Sequence, residues 1–485
     1  MMGLLIAGFA ATGIVTLTLI RRDLPLLILI AIFVLTAEMG DGFTSFQGSI
    51  FFNQNFLHLA SLKLIEVILY TYAGALILLN IPIRRKPAPS PLRRLYLLWV
   101  IWSVVLLFVQ YESHGFIDPT LFRGIYFGWA LLYVFTIVTD NRLAMKRVIV
   151  FTFVLIIVKV LWLMLMFAIG HGEHTTRGYS PIFWDDRLLG GFVWVFLVLL
   201  IALLQPRSER GNWPTAWVSL ALVLIFVVIA LSLRRSYLEQ LLIGSLFLLF
   251  SKSLQISFRR VLPFALVVVF LLGVAFTTGL VIGNRLPLVQ QLNKYVQILN
   301  FTSVEDFANR PENQVHLVNV QTYFTILSEY EGIRLFGRSA APTENFQNFN
   351  REYMSSLGLA HNGPLRAIFD FGIGGLVVWS GFYLVAFRAI RRSKFIQLEP
   401  WEQALLLGSA VTVFSHLAIT ITFDPPFFTT FKGLFFFLFL VVTIEFYSRE
   451  SQLLEMSTPE TPPVHQFMGS NTSSVERARS TGYLR

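Results

Sequence analysis

Apolar runs of about 20 residues recur along nearly the whole chain, and a run of that length crosses the roughly 30 Å of bilayer hydrocarbon as a single helix. Thirteen are readable, near residues 3–20, 24–39, 63–83, 95–110, 120–139, 148–170, 189–205, 215–233, 237–251, 261–283, 364–387, 401–423 and 429–447. Backbone polar groups in hydrocarbon find no water, so such runs are held to helices that satisfy their own hydrogen bonds. Composition points the same way: 55% of the 485 residues are hydrophobic, only 14% are charged and 47 are Phe, too little polar surface to coat a soluble globule. The expected fold is an all-α integral membrane protein of about 12–13 transmembrane helices, with one large extracytoplasmic loop domain that itself contains helices.

Orientation follows from the basic residues. Alternate connections carry Arg21/Arg22, Arg84 to Lys86 with Arg93/Arg94, Arg142 to Arg147, Arg207/Arg210, Lys252 to Arg260 and Arg388 to Lys394. Basic residues collect on the cytoplasmic side, which puts the N-terminus outside and the C-terminus inside. The net charge of +10 is mostly this bias plus the basic side of the tail, and gives no argument for nucleic acid. With no basic residue before the first run and two arginines after it, a signal anchor is expected in place of a cleavable signal peptide. The absence of cysteine excludes disulfides, thiolate chemistry and Cys-ligated metals. No internal repeat of the kind found in many transporters is visible. The expected organisation is residues 1–283 for the first ten helices, 284–361 for the loop domain, 362–447 for the last three helices and 448–485 for a disordered cytoplasmic tail.

Within the loop domain, Asn309-Arg310-Pro311-Glu312-Asn313 reads as a helix start, with Asn309 as a cap and Pro in the first turn. Val315, Val318, Phe324, Ile326, Leu327 and Tyr330 recur at helical spacing, which carries a surface helix to near Glu331. Beyond that helix, Gly332, Gly337 and Pro342 are expected to break the chain into a flexible segment before His361.

Two places carry chemistry. At His361-Asn362-Gly363-Pro364, Asn362 is expected to cap the helix that Pro364 opens, leaving His361 just in front of the helix N-terminus. The positive end of the helix dipole disfavours imidazolium there, and a neutral imidazole can take a proton from an attacking hydroxyl. Free N–H groups at the same end suit a phosphate oxygen. An interfacial histidine that only hydrogen-bonds the loop is the equal alternative. Gly372 and Gly375 follow, the first about 16 Å down the helix by its rise, and are expected to let a neighbouring helix approach.

The second place is Ser232-Leu233-Arg234-Arg235-Ser236-Tyr237-Leu238. Only the 35 residues from Ala216 to Phe250 are available for two spans, so the turn is expected below the outer surface. Charges at that depth face a cavity or pair, and the planar arginine fork matches phosphate, which suggests a pocket for a lipid-linked pyrophosphate. Otherwise one arginine snorkels to the headgroups and the other pairs with Glu239. Arg123, Arg177, Arg187, Arg285, Arg310, Arg334, Arg338, Arg351 and Arg366 also fall on the outer side, each alone more simply read as solvated. Arg310, ahead of the surface helix, and Arg123, at the outer end of a span, are the ones singled out. His171, Glu173 and His174 with Asp185 and Asp186 make a weak metal pattern, and no metal is expected. Lys159, mid-span, is expected to face the bundle interior.

On these residues the chain resembles the O-antigen ligase and polymerase superfamily, polytopic bacterial enzymes that act on undecaprenyl-pyrophosphate-linked glycans. One family signature, His then Asn/Ser/Gln, nine residues, Gly, two residues and Gly/Thr/Tyr, is met by His361, Asn362, Gly372 and Gly375. Another, Arg-x-x-x-Leu, is met by Arg234 and Leu238; the large outer loop, Arg310 and Leu335-Phe336-Gly337 correspond as well. The chain departs from the family in having Arg234-Arg235-Ser236 where Ser-Arg-Gly is common, and Arg338 after Gly337. The resemblance covers roughly residues 170–450. It implies an inverting, metal-independent glycosyltransferase of the bacterial plasma (inner) membrane that needs no cofactor. Its partners would be the bilayer, an undecaprenyl-pyrophosphate-linked donor and a glycan, lipid or protein hydroxyl acceptor. His361 would deprotonate or orient that hydroxyl, while Arg234, Arg235, Arg310 and Arg123 neutralise the departing pyrophosphate. Ligase and polymerase share this chemistry. A flippase or exporter of lipid-linked oligosaccharide is the alternative from another class, and would need ion-coupling residues deep in the spans.

Overall fold

The computed structural model describes residues 2–36, 55–57, 62–80, 90–117, 122–168, 173–175, 178–180, 189–205, 215–231, 235–250, 323–341, 362–393, 397–422 and 431–457. Their helices are α1 (Met2–Ile20), α2 (Leu24–Leu35), α3 (Leu64–Asn80), α4 (Pro91–His114), α5 (Arg123–Val138), α6 (Arg142–Ala168), α7 (Leu189–Leu204), α8 (Thr215–Leu231), α9 (Arg235–Phe250), α10 (Glu331–Phe336), α11 (Gly363–Arg392), α12 (Pro400–Thr422) and α13 (Phe431–Ser457). Two short antiparallel hairpins, β1 (Asn55–Leu57) with β2 (Leu62–Lys63) and β3 (Glu173–Thr175) with β4 (Gly178–Ser180), stand in connections and are the only departure from an all-α fold among the described residues.

Among the described residues five helices, α4, α6, α11, α12 and α13, are long and apolar enough to cross a bilayer, which places the chain in the class of helical membrane proteins. Seven further apolar helices run 10–17 residues. Among these, α8 and α9 have 17 and 16 residues, about 24–26 Å by helical rise against the ~30 Å of hydrocarbon. The apolar run at 261–283 lies outside the described residues.

Burial sorts the helices into centre and rim. The most apolar stretch of α13 is 89% buried, against 28% for α4, so α13 is the hub and α4 lies at the edge. A helix that is apolar all round belongs in such a centre. Around α13 the core is aromatic: Phe435 stacks on Phe33 at 4.3 Å, Phe431 packs on Phe127 at 4.6 Å, and Trp194 meets Phe439 edge-on at 5.2 Å while donating to Ser409 Oγ at 3.0 Å. Outward faces are apolar as well, with Phe9, Leu78, Leu98, Phe108 and Val377 exposed, the pattern lipid demands and water penalises.

The structure corrects two expectations. α13 continues to Ser457, so residues 448–457 are helix and not tail. Ser448 Oγ donates to Ala389 O at 2.5 Å and Gln452 Nε2 to Arg392 O at 3.1 Å, which pins this extension to the end of α11. After Gly332 the described residues, to Ala341, are also regular, since α10 runs straight through that glycine and a 3-10 turn (Gly337–Ala340) succeeds it; Pro342 to His361 lie outside the described residues. A Cβ on Gly332 would stand 3.2 Å from that of Ala340, so the glycine lets the segment fold back on itself.

Candidate functional site

The opening of α11 is built as its sequence suggests. Asn362 takes extended backbone angles and its Oδ1 accepts from Leu365 N at 3.0 Å. The other half of the same amide, Nδ2, donates to Ile421 O at 2.6 Å, satisfying a carbonyl left over at the end of α12. Gly363 brings the chain so close that a Cβ would lie 3.0 Å from Thr420 O. Asn362 is therefore fixed on two helices, and the residue before it in the sequence is the expected proton acceptor. That residue, His361, lies outside the described residues, as do Arg234 and Arg310. Arg235 opens α9, with its side chain not described.

Ten residues on, α11 breaks. Gly372 sits at φ 67°, ψ −163° and Gly337 at φ 64°, ψ −161°, a region open essentially to glycine alone. The two stand in reciprocal contact. A Cβ on Gly372 would lie 2.1 Å from Leu335 O, and one on Gly337 would lie 2.5 Å from Asp370 O. Gly372 therefore admits a neighbouring helix, as expected, but that helix is the short α10 and the glycine is a kink rather than part of a straight span. Gly375 also differs from expectation: its Cβ would strike Ala367 O at 2.4 Å and Phe371 Cβ at 2.6 Å, so it makes room for its own helix across the kink. The Phe371 carbonyl, beside the break, accepts from Trp102 Nε1 at 2.9 Å, and the Trp102 ring stacks on Phe336 at 6.0 Å.

Three charged side chains lock this crossing. Arg366 Nε meets Asp370 Oδ2 at 2.7 Å along the helix, and Arg338 Nε meets Oδ1 at 3.3 Å from the 3-10 turn. Their side chains are 9%, 5% and 20% exposed for Arg366, Asp370 and Arg338. Two guanidinium groups thus share one carboxylate, and the group carries a net positive charge one turn from the capped end. Tyr323, in the helical stretch 323–329, packs against Phe369 and its phenol lies against Arg366; burial pushes that phenol up to about 12, so it stays protonated. Arg338 and Arg366 stood among the outward arginines in the sequence. Asp370 was missed, although its spacing of four from Arg366 is the helical ion-pair signal.

Arg123 opens α5 and pairs with Glu66 at 2.9 Å; Glu66, 1% exposed, also accepts from Lys63 N at 2.8 Å. Phe122, beside it, packs on Phe371 at 6.5 Å, so this pair borders the kink. The charge of Arg123 is therefore partly compensated from within the chain. Lys159 faces the interior as expected and donates to Leu35 O at 3.3 Å, and Lys432 donates to Thr36 O. Both buried ammonium groups thus sit on the carboxyl end of α2, where the helix dipole favours positive charge. Glu173 and His174 stand on the β3–β4 hairpin, while His171, Asp185 and Asp186 lie outside the described residues. No group of three His, Cys, Asp or Glu side chains that could hold a metal is present among the described residues.

Compared with models of known protein families, the sequence matches none, and no curated protein matches it.

Proposed function

We propose that the chain is a membrane glycosyltransferase of the O-antigen ligase or polymerase kind, drawing on an undecaprenyl-pyrophosphate-linked glycan at the outer face of the bacterial plasma membrane. The observation that carries this reading is the capped opening of α11 beside the buried Arg338, Asp370 and Arg366 group. A helix N-terminus next to a net positive charge favours an anion, and His361 is the residue that immediately precedes the cap. In the proposed reaction the acceptor hydroxyl attacks the anomeric carbon and His361 takes its proton. The bond from that carbon to the pyrophosphate oxygen breaks on the opposite face, and the lipid pyrophosphate leaves with the electron pair. Arg234, Arg235 and Arg310 neutralise that charge, with Arg123 the weakest of the four because Glu66 already holds it. A phosphate leaving group needs no acid partner once its charge is stabilised. Independence from metal and cofactor, 12–13 spans, an outer N-terminus and a cytoplasmic C-terminus complete the proposal.

One observation favours a second reading, an exporter of the same lipid-linked glycan. Lys159 and Lys432 are ionisable groups buried on a helix end inside the bundle, the kind of residue a coupled transporter uses. Deleting the gene in the native host and sizing the glycans left on the lipid carrier separates the readings. Full-length polymer on the carrier indicates a ligase and single repeat units a polymerase. Repeat units trapped on the cytoplasmic face indicate the exporter, and an unchanged lipid-linked pool contradicts both.

A further inference from the structure

Away from that site, a cavity of about 260 Å³ opens between α6, α7, α8 and α12. Its walls are apolar, with Phe153 and Val154 from α6, Val198 and Ala202 from α7, Val218 from α8 and the ring of Trp401 from α12. Val150 and Val154 on its rim are half exposed, so the groove opens sideways onto the face that lipid covers. From Val198 to Gln205 it follows α7 for about 10 Å by helical rise, a third of the ~30 Å hydrocarbon core. That length and the volume of about 260 Å³ suit a stretch of one hydrocarbon chain.

The polar end of the groove is where α6, α8 and α12 begin and α7 ends. Gln205 and Thr215 stand there, and Gln205 Nε2 donates to Pro400 O at 2.8 Å. Lys146, one turn before Ile149 of the groove wall, holds its ammonium 4.7 Å from the centre of the Trp401 ring. Arg142 engages Glu402 at 2.6 Å and Glu399 at 3.2 Å, so these two carboxylates are already answered by a guanidinium, with Glu450 also near it.

We propose that this groove binds an acyl chain of an acidic phospholipid, with the lipid's phosphate held at the mouth by Lys146. Apolar walls accept any chain, so the headgroup preference comes from the cation over Trp401. A lysine near a membrane surface favours an anionic lipid by a factor of about five. The site is independent of the transferase reading.

Trp401 reports on its own groove. The full chain is reconstituted into vesicles of phosphatidylglycerol or phosphatidylcholine mixtures in which one headgroup class carries brominated acyl chains, which quench indole on contact. The Trp401 share is the difference from Trp401→Phe. Ala202→Phe, which fills the groove from α7, supplies the same difference without touching the indole. The expected result is Trp401 quenching about fivefold more effective by the brominated phosphatidylglycerol, with the preference lost in Lys146→Gln and all groove quenching lost in Ala202→Phe. Equal quenching by both headgroups in the wild-type chain overturns the acidic-lipid site. Absence of Trp401 quenching by either means the groove is closed to lipid and overturns the proposal altogether.

Discussion

Gly372→Ala is the sharpest probe of how α10 and α11 fit together. At φ 67°, ψ −163° any other residue is strained by about 1–3 kcal/mol. The new methyl group would also stand 2.1 Å from Leu335 O, 2.4 Å from its carbonyl carbon and 2.7 Å from Phe336 N. These are backbone atoms, which cannot rotate aside, so relief requires the two segments to part. Forcing such overpacking costs about 1–3 kcal/mol more, for a total of about 2–6 kcal/mol. That is a large share of the roughly 5–15 kcal/mol that stabilises an ordinary domain. The control is Gly74→Ala in α3, where no atom lies within 4 Å and helix propensity alone predicts a gain of up to about 1 kcal/mol. Thermal unfolding in detergent, followed by tryptophan fluorescence, compares the two. Gly337→Ala breaks the same contact from the other side, so the double variant should lose less than the sum of the single losses by up to the shared overpacking of about 1–3 kcal/mol, while the φ strain at each glycine adds. Unfolding of Gly372→Ala together with the Gly74→Ala control refutes the reasoning.

Other outcomes follow from the same geometry. Asp370→Asn leaves Arg338 and Arg366 without their shared carboxylate; removing one partner of a buried ion pair costs about 3–5 kcal/mol, and adding Arg366→Met should recover part of the loss in the same unfolding assay. Asn362→Ala removes the cap of α11, about 1 kcal/mol, and the bond to Ile421 O besides; unfolding midpoints measure the loss, and the proposed function predicts reduced donor turnover as well. Between α1 and α2, hydrogen bonds from Arg21 at 2.6 and 2.7 Å hold the Asp23 carboxyl below its ordinary value. A carboxyl so held contributes stability that is present above its unfolded value of about 3.9 and is lost as pH falls toward the lower folded one, so Asp23→Asn should flatten the acid limb of a stability profile.

The helices were legible because hydrocarbon leaves the backbone few choices, and each of the described long helices overlies an apolar run. Their ends were less so. Residues 448–457 read as tail from their polar character, yet Glu450, Gln452, Leu453 and Leu454 are good helix formers, and Ser448 and Gln452 bond to the end of α11. Asn362 was visible as a cap because the signal is local. The kink at Gly372 was not, because the same glycine that eases helix packing also permits a positive φ, and only Leu335, 37 residues earlier in the chain, decides between them. Arg366 and Asp370 are readable as a pair from their spacing, whereas Arg338 and the Glu66 to Arg123 pair are brought in by tertiary packing that no local pattern encodes.

The central claim rests on His361, and one measurement tests it directly. Purified wild-type chain and His361→Ala are reconstituted at equal insertion with an undecaprenyl-pyrophosphate-linked glycan and a hydroxyl acceptor, and released undecaprenyl pyrophosphate is followed with time. The proposal predicts release and a glycosylated acceptor from the wild type and neither from the variant. Wild-type turnover in His361→Ala, or no turnover by the wild-type chain on any such donor, contradicts it.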